Sequence, residues 1–254
     1  MTLLTLYKKE LGESLFSPRG GSWLLAAVII LSAAALLFVT NEKFNLIDQK
    51  GIVLLTCKLA IALGGLVTLV QAADALAGER ERQTLEALLL APLSGQTIVW
   101  AKLFSALTAW LLLYAMSLPY LAVMSTGLAV FSAAAGSLLL FGSALVAGLA
   151  AAAIAISSRL DSGRTAASFA LLAALILFGL TFLPPPMLAG GPGKLLDAIN
   201  PAAGAFHALG KIVVDEQSLV TQWPRLLAVL IFLSGALAVM AALGRNIPLS
   251  GARS

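Results

Sequence analysis

Six apolar stretches limit what this chain can fold into. They cover approximately residues 22–40, 52–77, 98–124, 130–157, 165–183 and 225–243, and each is rich in Leu, Ala, Val and Ile. Crossing the ~30 Å hydrocarbon core of a bilayer takes about 20 mostly apolar residues in a helix. None of the six shows the alternation of a membrane β-strand, so six helical spans are predicted. Composition agrees: 60% of the chain is hydrophobic, against about 45–50% in soluble domains. The expected class is an all-α integral membrane protein with one transmembrane domain over residues 1–254.

Orientation follows from where the cations fall. With the N-terminus inside, Lys8, Lys9, Arg19, Arg80, Arg82, Lys102, Arg159, Arg164, Arg245 and Arg253 lie on the inner side. Lys43, Lys50, Lys194 and Lys211 lie on the outer side, with Arg225 at the start of the last span. This bias predicts that both termini, including the tail 244–254, are cytoplasmic in a multi-pass bacterial inner (cell) membrane protein. The net charge of +4 reflects this topology rather than a nucleic-acid partner.

Ahead of the first span, residues 1–21 place Leu4, Tyr7, Leu11 and Leu15 at helical spacing, with Lys8, Lys9, Glu10 and Glu13 on the remaining surface. This predicts an amphipathic helix in the headgroup plane rather than a signal peptide. Residues 184–224 form the longest interruption between spans. Pro184 to Pro186 cannot continue a helix, "AGGPG" at 189–193 reads as a turn, and Asn200-Pro201 breaks the apolar pattern that follows. Short external re-entrant helices capping the outer end of a path are expected there, with Asn200, Pro201 and His207 as candidate gate or path residues.

Catalytic signals are sparse. Lys58 and Asp74 are the ionisable residues noted inside spans, and their sixteen-residue separation is ~24 Å along a helix, too far for a direct pair. The single histidine, His207, has no carboxylate or cysteine near it in sequence, and Cys57 is the only cysteine, so neither a metal site nor a disulfide is expected. "AGGPGKLL" fails as a phosphate loop because Leu188 and Leu195 replace the required Gly and Ser or Thr. No nucleotide site, metal or cofactor is expected in this chain. Ala144, Gly148 and Ala152 form a small-residue stripe that permits close helix approach.

One polar stretch departs from this pattern. "GERERQTLEALLLAP", residues 78–92, holds five charges in its first nine residues, although only 11% of the chain is charged. As one continuous helix it would gather Glu79, Arg82, Gln83 and Glu86 on a water-facing side. Leu85, Leu88 and Leu89 would turn toward the membrane. Glu79 with Arg82, and Arg82 with Glu86, stand at pairing distance on such a helix. Pro92 and Ser94-Gly95 would end it, with Ser94 capping the next helix.

This stretch, continued through "LSGQTIVWAKL", resembles the cytoplasmic signature of type-2 ABC transporter permeases: E-x-E-x-G-T-L-E-x-L-L-x-x-P, a polar turn, then Gly-Lys or Ala-Lys. Glu79, Glu81, Thr84, Leu85, Glu86, Leu88, Leu89, Pro92 and Lys102 match, and Gln83 replaces the glycine. "SSRLDSGRTAASFALL" and "NPAAGAFHAL" extend the resemblance over nearly the whole chain. It implies a cytoplasmic coupling helix at 78–95, with Glu79, Arg80, Glu81, Arg82, Thr84, Leu85, Glu86, Leu88, Leu89 and Pro92 docking on a separate ABC ATPase. It further implies two ATPase copies carrying ATP and Mg, a second permease copy or homologous permease, and surrounding membrane lipid. The expected function is the permease subunit of an ABC exporter. The rival readings are a membrane scaffold or assembly protein and a membrane-embedded lipid-modifying enzyme.

Overall fold

A computed structural model describes residues 3–15, 18–40, 48–90, 93–182, 190–245 and 247. The helices are α1 (Leu3–Leu15), α2 (Pro18–Thr40), α3 (Gln49–Glu81), α4 (Leu85–Leu89), α5 (Gly95–Met124), α6 (Phe131–Ser137), α7 (Ser143–Ser157), α8 (Gly163–Gly179), α9 (Gly191–Ile199), α10 (Pro201–Val213) and α11 (Trp223–Leu243). A π-helical turn, Leu138–Gly142, joins α6 to α7, and 3-10 turns follow α8 and precede α11. Among the described residues, six helical stretches are long and apolar enough to cross a membrane: Gly20–Thr40, Gln49–Glu81, Gly95–Met124, Phe131–Ser157, Gly163–Phe182 and Leu219–Leu243.

The second and fourth spans form the centre. In each, 67% of the most apolar window is buried within the protein, against 11% in the first and sixth. The peripheral spans leave large apolar side chains such as Leu36, Leu175 and Ile231 uncovered, as lipid-facing helices do. At 33 residues, α3 is about 50 Å long, well over the ~30 Å of a hydrocarbon core. The helix is thus longer than the layer is thick, and its final turns carry Glu79 to Glu81.

Small residues admit bulky ones at the centre. Trp110 of the third span is buried between Gly64 and Gly142. A Cβ at Gly64 would lie 2.5 Å from its ring and one at Gly142 would lie 2.8 Å away. Its indole N–H donates to Ser143 Oγ at 2.8 Å, which satisfies the polar end of an otherwise apolar side chain. The π-helical turn ends at Gly142, so the local widening of the helix coincides with the ring it receives. Within the predicted small-residue stripe, Gly148 makes the close approach: an added Cβ would lie 2.6 Å from the Phe232 ring of α11.

Outside the charged stretch, the structure adds to one expectation and corrects another. First, α1 is held against α5 as well as lying at the surface. Leu6 and Glu10 are buried, Tyr7 Oη bonds Thr108 Oγ1 at 2.8 Å, and Ser14 Oγ bonds Ser105 Oγ at 2.8 Å. Leu4 stays exposed, so only part of the apolar pattern is free to meet lipid. Second, His207 does have a carboxylate neighbour. Its Nε2 lies 3.1 Å from Asp197 Oδ1, across the helix break at Asn200-Pro201.

That break is built by Asn200. Its Oδ1 accepts from the Ala202 N–H at 3.0 Å and caps α10, with Pro201 in the first turn. Its Nδ2 donates to the Leu177 carbonyl at 2.8 Å, tying the cap to α8. The turn expected at 189–193 already belongs in part to α9, which starts at Gly191. Pro184 to Pro186 and Pro92 lie outside the described residues. α10 is mostly buried in protein, so its break is shielded by neighbouring helices rather than exposed to lipid.

Candidate functional site

The charged stretch is two helices and a sharp turn, not one continuous amphipathic helix. α3 runs on through Glu81, Arg82 and Gln83 form the turn, and α4 begins at Leu85. Gln83 has φ +60°, the left-handed region that a side chain disfavours and glycine accepts freely. This is the position where the signature has glycine, so the tight turn survives without the residue that most easily makes it. The Gln83 N–H reaches the Arg80 carbonyl at 3.1 Å and the Thr84 N–H reaches the Glu79 carbonyl at 2.9 Å, closing the end of α3.

The break sends the charges to partners other than those a continuous helix would supply. Glu79 does not face water, and it does not pair with Arg82. It is buried, and its Oε1 accepts from Lys102 Nζ at 2.6 Å. The same Nζ donates to Glu10 Oε2 at 2.9 Å. One lysine thus joins α1, α3 and α5 through two carboxylates. Arg82 does not pair with Glu86 but with Asp74, two turns back on α3, at 3.1 Å.

The neighbouring residues reach a second pair of elements. Arg80, also buried, donates to the Ser158 carbonyl at 3.2 Å and to the Leu160 carbonyl, both just past the end of α7. A cation there meets carbonyls left free by the helix end. Glu81 Oε2 accepts from the Gly163 N–H at 2.9 Å and from Ser162 Oγ at 3.1 Å, so a carboxylate sits at the N-terminus of α8. Ser162 occupies the cap position but makes no side-chain cap bond, and Glu81 takes that role from across the loop. Asp74 lies over both Gly78 and Gly163, where an added Cβ would come within 2.1 Å and 2.2 Å of its Oδ1.

Glu79, Arg80 and Glu81 are therefore three successive latches: to α1 and α5, to the end of α7, and to the start of α8. What remains free is short. Arg82, Gln83, Thr84 and Glu86 are exposed, while Leu85 and Leu88 are buried against the bundle rather than turned to a membrane surface. The side chain of Leu89 lies outside the described residues. Ser94 caps α5 as expected, accepting from the Thr97 N–H at 3.1 Å.

Glu10 is the site residue that sequence reasoning passed over. The available signal was Lys102, about one turn inside a span, where an ionised side chain needs a partner. At the far end of the bundle, Lys58 has its ammonium 5.4 Å from the centre of the Phe206 ring, a cation–π contact rather than an escape to water alone.

Six spanning helices, a helix before the first of them, and a charged turn between the second and third tied to α1, α5, α7 and α8 define a multi-pass membrane protein. The family model described as ABC-2 family transporter protein matches residues 4–245. The chain belongs to that family, and it is the membrane permease of an ABC transporter. No curated protein matches it.

Proposed function

We propose that this permease exports its cargo and is driven by an ABC ATPase seated on the turn 82–90. The observation carrying this reading is the contrast at that turn. Glu81 to Thr84 and Glu86 are exposed, while Glu79 and Arg80 are buried, and Glu79, Arg80 and Glu81 together are fastened to four helices. A push on α4 is thus delivered through Glu79 to α1 and α5, through Arg80 to α7, and through Glu81 to α8. Such a push biases a two-state equilibrium of the spans only if the partner binds the two states unequally, which nucleotide on the ATPase supplies.

The roles of eight of the ten candidate coupling residues divide accordingly. Arg82, Thr84 and Glu86 would meet the ATPase; Leu85 and Leu88 seat α4; Glu79, Arg80 and Glu81 transmit. Two permease copies with two ATPase subunits would frame the path, both termini would be cytoplasmic, and ATP with Mg would reside on the partner. Asn200, Pro201 and the Asp197–His207 pair, fixed to α8 through the Leu177 carbonyl, would move with that helix at the outer end of the path. The test is affinity purification of the tagged chain from its native membrane. Recovery of an ABC-type ATPase near equal amounts supports the reading, and its consistent absence would count against it.

A further inference from the structure

Beside the latches lies a cavity of about 1110 Å³, bounded by α1, the start of α2, α3, α5 and α8. Glu10, Gln71, Asp74, Glu79, Lys102 and Arg164 are among its lining residues. Its buried polar groups are incompletely satisfied. Glu10 Oε1 and Glu79 Oε2 have no hydrogen-bond partner among the described residues, although both residues are more than nine-tenths buried. Both amide atoms of Gln71 are likewise buried and unpartnered. A buried acceptor left unpaired is costly, and a buried carboxylate more so.

Over the mouth as a whole the charges balance, with Lys9, Arg82, Lys102 and Arg164 against Glu10, Glu13, Asp74 and Glu79, and the mismatch is local to its depth. On the rim, Lys9 pairs with Glu13 and Arg82 pairs with Asp74. Arg164 is exposed, at the start of α8. In the depth, a single Lys102 faces two carboxylates, leaving one excess negative charge and two free acceptor oxygens. An anionic head would add a third negative charge to that site, whereas a hydrogen-bond-donating cation supplies what it lacks.

A second cavity, about 680 Å³, follows in the same seam between α3 and α8. On α3 the lining passes from Ala62–Leu69 in this slot to Val70–Glu79 in the mouth. On α8 it passes from Gly163–Ala167 in the mouth to Ser168–Phe178 in the slot. The slot is open on the lipid side, where Leu66 and Leu175 are exposed, and is walled more deeply by Leu69, Leu171 and Phe178, with Ser168 at its polar end. Gln71 stands at the junction, and Ala62 lies nine residues farther along α3, about 14 Å at helical rise.

We propose that this seam binds an amphiphile whose head is a hydrogen-bond-donating ammonium and whose tail is a hydrocarbon chain. The ammonium reaches Glu10 Oε1 and Glu79 Oε2, and the tail lies in the slot between α3 and α8. This deepens the permease reading by assigning a cargo class to its own walls.

The test is equilibrium binding of radiolabelled dodecylammonium to the full chain in nanodiscs, with empty nanodiscs as the blank. Dodecanol, dodecyl sulfate and octylammonium serve as competitors. Saturable binding is expected, with dodecanol and dodecyl sulfate at least about tenfold weaker. Glu10→Gln should weaken binding about as much. Gln71→Leu, two helical turns from Glu79 and outside the head contacts, should leave binding little changed and thermal unfolding unchanged or raised, because it removes an unpaired buried amide. Ala174→Phe, which fills the slot, should abolish the advantage of dodecylammonium over octylammonium. Binding no greater than to empty discs, equal competition by dodecanol, or unchanged binding in Glu10→Gln would each overturn the proposal. No ATPase is needed in this assay, so its failure leaves the permease reading intact, and a failed ATPase recovery leaves this site intact.

Discussion

Lys102 and Glu79 meet at 2.6 Å inside the protein, twenty-three residues apart in sequence and on different spanning helices. With Glu10 on the opposite side of the same ammonium, they fix the geometry from which the exposed turn projects. The pair is structural before it is functional. Removing one member of a buried ion pair leaves an uncompensated charge, which typically costs ~3–5 kcal/mol. Lys102→Met should therefore lower the thermal midpoint of the detergent-solubilised chain sharply. The triple variant Glu10→Gln, Glu79→Gln, Lys102→Met should regain most of that loss. A single variant as stable as the parent would show that the three groups do not share a buried site.

At Gln83 the expected effect has the opposite sign. A non-glycine residue held in the left-handed region costs about 1–2 kcal/mol. Gln83→Gly should stabilise the turn or leave it unchanged, because glycine's greater freedom in the unfolded chain offsets part of the relief. Gln83→Val should be clearly destabilising. Comparison of the two by thermal unfolding checks the assignment, and equal effects would contradict a positive φ at this residue.

The Trp110 clasp predicts that a single methyl group matters twice. Gly64→Ala and Gly142→Ala each force atoms into space occupied by the indole, and overpacking of this kind typically costs ~1–3 kcal/mol. Combining either with Trp110→Leu should make the added methyl much less harmful. Additive losses in the double variants would argue against direct contact, since touching residues couple and distant ones do not.

Topology is testable with single cysteines in a Cys57→Ser background. Ser94 and Ser162 lie at the α1 end of the bundle and Ser218 at the other. An impermeant thiol reagent added outside cells should label Ser218→Cys and spare the first two until the membrane is opened. Labelling of Ser94→Cys from outside would reverse the proposed orientation.

The spans were legible because each needs only a run of apolar residues, and a bilayer imposes no further specificity on that signal. The charged turn was legible as important, but its geometry was not. Helical periodicity assigns Glu79 and Glu86 to one face of a continuous helix, and it has no means of registering a one-residue excursion to positive φ. That excursion at Gln83 separates buried Glu79 from exposed Glu86. Glu10 was hidden for a related reason. Its helix reads as amphipathic from sequence alone, and only the approach of α5 turns a surface carboxylate into half of a buried bridge. The Asp197–His207 contact likewise depends on a helix break at Asn200 whose geometry the sequence does not encode locally.

The central claim is that the exposed turn receives the ATPase while the latches behind it hold the fold. Glu86 is exposed and forms no latch, so reversing its charge separates docking from folding. Loss or reversal of one partner in a desolvated charge pair at an interface costs roughly 2–5 kcal/mol. The decisive measurement is ATPase retention by Glu86→Lys on an affinity column, alongside its thermal midpoint. The account predicts an unchanged midpoint with retention reduced at least about tenfold. Full retention by a folded Glu86→Lys chain would contradict it.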